Sequence, residues 1–561
     1  MTPSGDRPRW EIAQMDPRRA RALATEIEVS PLLAHLLIRR GAADPEAARR
    51  FLAPSLDQLS DPCSLEDMGR AVQRITRARE QGERVLVFGD YDVDGCASTA
   101  LLVRALHAFG IEQCDAALPD RMSDGYGLNP DHVEAAAFAR ISLLITVDNG
   151  VRSHEAAQAA RERGIDLIIT DHHQLGDTLP EAYAVVNPMR QDPSHPAYHA
   201  CGAGVAFRLA TALLGRPFGT DLAALGTVAD VVPLVGENRI IVAEGLRTIG
   251  ERPGIRALAR VADLDPATLR AEDLGFQLGP RINAAGRLGD AHASLDLLLS
   301  DDERESTRLA RELDQANRRR REEEARMLEE AEALLEAHSD HPNSIVLHHP
   351  EWSQGIVGIV ASRMQRRYNR PAILIAMGAN GIGKGSARGV AGLDLSAVLA
   401  ECSDHLVTFG GHQAAAGLTV ESAELERFRA RFDEAVAQAM PAFHAPPLQI
   451  DAQASLTNID AGFVQRLAQL EPFGHGNPAI VLCTMNATLR RDALRVLRGG
   501  HLKLVVEEGG RAFDAIGFRM ETLAEEIQDA RAVDVAYTPQ LNTWRGQTSV
   551  QLLLKDIRPA E

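Results

Sequence analysis

Residues Val85–Ser98, VLVFGDYDVDGCAS, decide how the chain is read. An apolar run, Val85 to Phe88, ends in three carboxylates at alternate positions, Asp90, Asp92 and Asp94. Gly95 follows, and a helical pattern starts near Ala97. Strand, acidic turn and helix is how an α/β protein presents ligands at the carboxyl edge of a parallel sheet. Side chains two apart in extended chain share a face, so the three carboxylates are expected to converge. Like charges that close repel unless a cation or a wet surface relieves them.

Working outward, two more strand patterns end in chemistry. Ile141–Val147 runs into Asp148-Asn149-Gly150, and Ile165–Thr170 into Asp171-His172-His173. Helices are predicted over Ser98–Phe109 and Ser153–Arg163, with a short further strand at Val185 and Val186. That alternation predicts a parallel sheet with right-handed crossovers. Residues 201–300 read mainly as helices. Among them, LGTVADVVPL (Leu225–Leu234) sets the lone carboxylate Asp230 in apolar surroundings. GPRINAAGRLGDA (Gly279–Ala291) reads as a Gly-rich turn carrying Arg281, Asn283 and Arg287.

Taken singly, the Asp90–Asp94 turn suits a solvated surface or a calcium loop, and Asp171-His172-His173 a helix cap with surface histidines. An EF-hand needs a twelfth-position ligand and flanking helices, and neither is present. At successive strand ends together with Asp148, these residues read better as a metal centre. Carboxylates with one or two imidazoles suit Mn²⁺ or Mg²⁺ better than zinc. Five or more ligands exceed one tetrahedral ion. Two ions about 3.5–4 Å apart, bridged by a carboxylate, would clamp the attacking and leaving oxygens of a phosphoryl displacement. The predicted chemistry is phosphoester hydrolysis with metal-bound hydroxide as nucleophile.

The rest of the chain frames this centre. Residues 1–45 read as peripheral helices, with Leu32, Leu33, Leu36 and Leu37 on one face. Asp301–His338 lacks Pro and Gly and predicts one helix, roughly 55 Å long at about 1.5 Å per residue. Its centre, NRRRREEE (Asn317–Glu324), is polar all round, which predicts a solvent-exposed bridge whose arginines pair with the following glutamates. A second α/β unit follows over 343–440, and five short strand patterns after Leu448 predict a small β-barrel of OB type. Gly378–Lys384 has P-loop spacing, but Gly385 stands where a Mg²⁺-binding hydroxyl belongs, so no ATP requirement is expected. Ser386 and Arg388 alternate and suit either a phosphate or an ordinary polar hairpin. His412, in FGGHQAAAG, suits either a core histidine or a phosphate contact. Arg490, Arg491, Arg495, Arg498 and Lys503 suit either a solvated face or a path for a single strand.

At 561 residues, 45% hydrophobic and 25% charged, the chain predicts several soluble domains. The net charge of −18 argues against non-specific coating of duplex, though a local basic path would suffice for a strand. Six scattered cysteines without a CxxC pair exclude a zinc ribbon and argue against a disulfide framework. No run is long and apolar enough for a membrane span, and the first residues lack a secretory signal, so a cytoplasmic protein without membrane contact is expected.

The ordered set DYDVDG, TVDNG, TDHH and GTVADVVPL resembles the DHH phosphoesterase family, and FGGHQAAAG resembles its associated DHHA1 domain. GPRINAAGRLGDA, HPEWSQGIVGIVASRM (His349–Met364), EPFGHGNP (Glu471–Pro478) and WRGQTSVQLLLKDI (Trp544–Ile557) resemble the branch acting on single-stranded DNA. The resemblance covers nearly the whole chain after the first 25 residues or so. It implies a 5′→3′ single-strand exonuclease of recombination and repair, with two Mn²⁺ or Mg²⁺ ions. It implies Asp92, Asp94, Asp148, His172 and Asp230 as ligands, with Asp148 bridging, Asp90 and Asp171 in support, and His173 on the scissile phosphate. It places Arg121, Ser386 and Arg388 on a terminal 5′-phosphate, Tyr126 against a base, and Arg281, Asn283 and His412 with the substrate. Only Cys96, in a position usually small and uncharged, departs from the motif, and the ligands are untouched.

The expected architecture is therefore α/β. It comprises an N-terminal helical segment (1–45), a parallel-sheet DHH catalytic domain (46–300), a connecting long helix (301–338), an α/β DHHA1 domain (339–440) and a C-terminal OB-fold barrel (448–561). The two α/β domains are expected to enclose the strand and the barrel to guide it, so that loss of residues 448–561 should weaken binding and processivity more than chemistry. Through the resemblance alone, a single-strand-binding protein and a repair helicase are expected partners, and a monomer is expected. Two alternatives stand: a DHH phosphodiesterase of cyclic dinucleotides or short oligonucleotides, which needs no barrel, and a non-catalytic single-strand-binding replication scaffold, which would tolerate loss of metal ligands.

Overall fold

The computed structural model describes residues 7–120, 127–288, 291–337, 343–440, 443, 446–544 and 546–560, without the side chains of Leu288 and Trp544. Two compact units emerge. The larger comprises Trp10–Ile282, Ala291–Ala310 and Gln449–Glu561, and the smaller Met1–Arg9, Asn283–Asp290 and Arg311–Leu448.

In the larger unit the expected sheet forms from β1 (Val85–Phe88), β2 (Cys114–Ala117), β3 (Leu143–Val147), β4 (Asp166–Thr170) and β5 (Ala184–Val186). The order is β2-β1-β3-β4-β5 and every pairing is parallel. Buried on both faces, β3 and β4 read as continuous apolar runs, as central parallel strands do. The edge strand β2, CDAA, has no apolar run to announce it. Helix α1 spans Val93–Phe109, four residues earlier than its sequence pattern suggests. Asp92 is its N-cap and accepts from Gly95 N at 3.0 Å, so the carboxylate starts the helix rather than preceding it. Asp90, Asp92 and Asp94 therefore converge around a strand–helix corner, not along extended chain. Helices α2 (Gly202–Leu214) and α3 (Thr220–Ala229) follow. Residues 279–288, expected as a Gly-rich turn, are instead a helix, α4 (Gly279–Leu288), entered through a π-helical turn at Leu274–Leu278.

The long helix α5 (Glu303–Ala337) holds 35 residues. Its polar centre is solvated on one face only, with Arg318, Arg319, Arg321 and Glu322 exposed. Asn317 and Glu324 are buried, and Glu324 is gripped by Arg320 (3.2 Å) and by Arg363 of α6 (Val357–Tyr368) at 2.5 Å. The expected pairing of the basic run with its own glutamates holds at Arg320–Glu324, while Arg318 turns back to Asp314 at 2.8 Å. The smaller unit's sheet contains β6 (Ile345–His349), β7 (Ala372–Met377), β8 (Ile382–Arg388), β9 (Thr408–Gly411) and β10 (Ala415–Glu421) in the order β9-β10-β8-β7-β6. Gly378–Gly381 is the turn between antiparallel β7 and β8, not a loop leading into a helix.

The last 110 residues close a five-stranded barrel of β11 (Leu482–Leu497), β12 (His501–Glu508), β13 (Arg511–Gly517), β14 (Ala532–Trp544) and β15 (Gln547–Pro559). Pairing of β11 with β14 shuts the ring. The N-terminal helices are not peripheral to it. Leu33, Leu36 and Leu37 share one core with Leu456, Phe463, Leu502 and Tyr537 of the barrel region. Asp451 receives Arg40 at 2.9 Å, and Trp10 donates to Asp556 at 2.7 Å. Arg239, 2% exposed and stacked on Phe51, donates to the carbonyls of Phe51, Gln469 and Glu471. Truncation after residue 447 would uncover this core, so the N-terminal helices depend on the barrel region for their packing. The shortened chain is expected to lose cooperative folding of residues 17–52, read as early protease cleavage there. A stable, protease-resistant truncate would contradict the shared core. No helix among the described residues is long and apolar enough to cross a membrane.

Candidate metal centre

Four chain segments bring carboxylates and imidazoles together off the carboxyl ends of β1, β3 and β4 and the C-terminus of α3. Asp148 leaves β3 with φ +63, a left-handed conformation that costs a non-glycine residue about 1–3 kcal/mol. Its neighbour Asn149, fully buried, holds it there by donating to Phe88 O (3.3 Å) and Val147 O (2.9 Å). Asp171 spends both oxygens on support. Oδ1 accepts from His172 N, His173 N and His173 Nδ1 (2.7, 3.1 and 2.7 Å), and Oδ2 from Val151 N at 2.9 Å. That network fixes the His173 ring and the backbone of His172, and the two ring centroids lie 4.4 Å apart.

Asp94 is seated on the start of α2: Gly202 N donates to Oδ2 at 2.7 Å, and Ala203 N and Cys201 Sγ to Oδ1 at 2.9 and 3.2 Å. Cys201 is thus a donor to the acidic site. His172 Nε2 lies 3.0 Å from Asp148 Oδ1, 3.7 Å from Asp230 Oδ2 and 3.9 Å from Asp94 Oδ2. Two ligand groups result, each with donor atoms within 4.8 Å of one another: Asp94, His172 and Asp230, and Asp90, Asp92 and Asp148. Asp148 and His173 form a third group with His172. Asp90, expected only as support, offers an oxygen on the same footing as Asp92.

The electrostatics call for cations. Burial, then the charge of Asp92, pushes the Asp94 carboxyl up to about 6. Burial, with Asp94 and Asp92, pushes Asp230 up to about 8. Asp148 is raised well above the carboxylate range by burial and then by its acidic neighbours, Asp94 first. Burial and the neighbouring His173 push His172 down to about 4, keeping it neutral, the form that binds metal. Burial pushes Asp171 up, but its bonds from His173 and the backbone leave it lower than usual. The donor set of oxygens and imidazole, without thiolate, fits Mn²⁺ or Mg²⁺. Mn²⁺ is expected to raise the melting temperature by several degrees, since about a hundredfold excess over Kd stabilises by about 2.7 kcal/mol, and EDTA to reverse it. An unchanged melting curve would count against a metal centre here.

Three glycines, of which only Gly95 was named from the sequence, make room for these ligands. A Cβ at Gly226 would fall 2.2 Å from Asp94 Oδ1, one at Gly202 2.5 Å from Asp148 Cβ, and one at Gly95 2.4 Å from Asp90 O. The signal available was Gly226 four residues before Asp230, and Gly202 beside the buried Cys201, both inside helical patterns where glycine is otherwise disfavoured. The Asp230 loop is braced by EPFGHGNP. Leu234 N donates to His475 O at 2.7 Å, and a Cβ at Gly474 would sit 2.7 Å from Leu234 Cδ1.

The remaining expected substrate residues divide between the two units and the residues that are not described. Arg281 is buried and donates to Gln277 O at 2.7 Å, inside the helical segment that was expected to be a turn. Asn283, Ser386, Arg388 and His412 belong to the smaller unit. His412 is exposed on the turn between β9 and β10, not a core histidine. Arg121 and Tyr126 lie outside the described residues. In the barrel, Arg490 is occupied by Asp492 and Glu507, and Arg491 by the carbonyls of Ala530 and Asp529, leaving Arg495, Arg498 and Lys503 as the open part of the basic patch.

A parallel sheet whose strand ends gather interlocked carboxylate–imidazole groups defines the chain as a DHH-type phosphoesterase. Family models agree along its length: the DHH family N-terminal domain matches residues 84–229, the DHHA1 domain 341–438 and the RecJ OB domain 450–556. The chain is 39% identical to the single-stranded-DNA-specific exonuclease RecJ of Dickeya dadantii, covering 97% of this chain and 99% of that one. It is 38% identical to the same exonuclease of Escherichia coli, covering 95% and 96%. The crystal structure of RecJ in complex with Mn²⁺ from Thermus thermophilus superposes with a TM-score of 0.84 at 32% identity, covering 99% of this chain and 80% of that one. The chain belongs to the RecJ family.

Proposed function

We propose that the chain is a single-stranded-DNA-specific 5′→3′ exonuclease of recombination and repair, hydrolysing phosphodiester bonds with two Mn²⁺ or Mg²⁺ ions. The observation that carries this is the pair of ligand groups linked by the 3.0 Å approach of His172 to Asp148. Asp94, His172 and Asp230 would hold one ion and Asp90, Asp92 and Asp148 the other, with Asp148 shared. When bound, the ions supply charge stabilisation and an activated water at neutral pH. Asp171 orients the His173 ring and holds the His172 backbone. His173, anchored through Nδ1 and half-exposed, takes the scissile phosphate. Asn149 and the α2 amides hold Asp148 and Asp94 in place, so the carboxylates need not reorganise during reaction. Ser386 and Arg388 take the terminal 5′-phosphate, which sets polarity. Arg281, Asn283 and His412 contact the strand, with Arg121 and Tyr126 assigned by resemblance. The barrel, matched by the RecJ OB model, favours a polymeric strand over a cyclic dinucleotide. A single-strand-binding protein and a repair helicase as partners, a monomeric state and a cytoplasmic location rest on the family resemblance.

Digestion of one DNA strand, labelled at either end and offered single or annealed, with Mn²⁺ and without ATP, tests this reading. Stepwise release from the 5′ end of the single strand is expected. Release from the 3′ end, or equal attack on blunt duplex, would overturn it.

A further inference from the structure

In the smaller unit, Ser386 and Arg388 stand two apart on β8 and so share a face. The Arg388 guanidinium is pinned at two of its three nitrogens. Nε donates to Ser362 Oγ at 3.0 Å, and Nη1 to Ser386 Oγ and Ala387 O, each at 2.8 Å. Ser362 is held in turn by donating to Gly358 O at 3.0 Å, one turn earlier on α6. Among the described residues no carboxylate lies within 4.0 Å of Arg388, although the group is half-buried and desolvation lowers its pKa. A withdrawn cation without a counter-charge is costly unless an anion arrives. Nη2 is the nitrogen left over, and what faces it is the missing side chain of Gly358: a Cβ there would lie 2.9 Å from both Arg388 Nη2 and Ser386 Oγ. Because Arg388 is fixed by three hydrogen bonds, it cannot swing aside cheaply.

We propose that Gly358 and Ser362 determine recognition of a terminal 5′-phosphate: Gly358, having no side chain, leaves Arg388 Nη2 and Ser386 Oγ uncovered for phosphate oxygens, and Ser362 is the positioning residue that aims the guanidinium. The inference rests on the assignment of Ser386 and Arg388 to the 5′-phosphate. A guanidinium held edge-on presents its remaining N–H groups in fixed directions, which suits a phosphate better than a free cation would.

The test compares kcat/KM for one single-stranded oligonucleotide carrying either a 5′-phosphate or a 5′-hydroxyl, using the full-length enzyme with Mn²⁺. Wild type is expected to prefer the phosphorylated strand. Gly358→Ala is expected to cut that preference at least tenfold, through KM for the phosphorylated strand. Ser362→Ala is expected to cut it about tenfold, the worth of a hydrogen bond to a charged group, with Ser362→Thr restoring it. A purely structural role would lower both strands' rates together and leave the ratio unmoved. Wild-type preference retained in both Gly358→Ala and Ser362→Ala would overturn the proposal alone. No preference in wild type would overturn it together with the Ser386–Arg388 assignment.

Discussion

Asp148→Ala is expected to abolish phosphodiester hydrolysis, by three orders of magnitude or more, while single-strand binding remains measurable. Asp148 belongs to two of the three ligand groups and approaches His172 at 3.0 Å, so its loss opens both halves of the centre at once. The backbone has less reason to move than the chemistry. Asn149 and the Thr170 carbonyl still hold residue 148, and alanine removes a carboxyl that burial and then its acidic neighbours, Asp94 first, raise well above the usual range. The variant is therefore expected to melt no lower than the metal-free wild type. Hydrolysis by single-turnover assay and binding by fluorescence anisotropy separate the two effects. Mn²⁺-dependent cleavage persisting in Asp148→Ala would remove the residue from the centre.

Gly226→Ala is expected to be nearly as damaging, although it adds one methyl to a helix and removes no functional group. The added carbon would overlap Asp94 Oδ1 at 2.2 Å and Ala203 Cβ at 2.5 Å. Asp94 cannot move aside without breaking the hydrogen bonds that Cys201, Gly202 and Ala203 donate to its oxygens. Either the carboxylate leaves its amide seat or α3 shifts, and Asp230, which caps α3, shifts with it. Loss of a supporting interaction around a ligand costs about 10–100-fold in metal affinity, and displacement of two ligands is expected to reach or exceed the top of that range. Isothermal titration with Mn²⁺ reads it directly. A variant with wild-type Mn²⁺ affinity would show that the seat of Asp94 is not constrained.

Most of the centre was legible because its ligands are written at strand ends, where the apolar runs of β1, β3 and β4 stop abruptly at Asp90, Asp148 and Asp171. Period and punctuation carry that signal locally. What escaped was encoded in contacts distant in sequence. The cradle for Asp94 comes from Cys201–Ala203, more than 100 residues away, and the brace for Asp230 from His475. No local pattern distinguishes a glycine that clears a carboxylate from one that merely closes a turn. The Gly279–Leu288 segment shows the converse error. Its glycines suggested a turn, but the segment is helical despite their low propensity, and at Gly279 a Cβ would fall 2.9 Å from the Leu274 carbonyl of the adjoining π-helical turn. The Asn317–Glu324 stretch misled for a related reason. A polar run reads as solvated until a partner such as Arg363 arrives from another helix.

The central claim is a shared two-ion centre at the strand ends, and anomalous diffraction from crystals soaked in Mn²⁺ tests it most directly. The account predicts two peaks about 3.5–4 Å apart, both within ligand distance of Asp148, with His172 on one side and Asp92 on the other. A single peak, or two peaks of which neither touches Asp148, would contradict it.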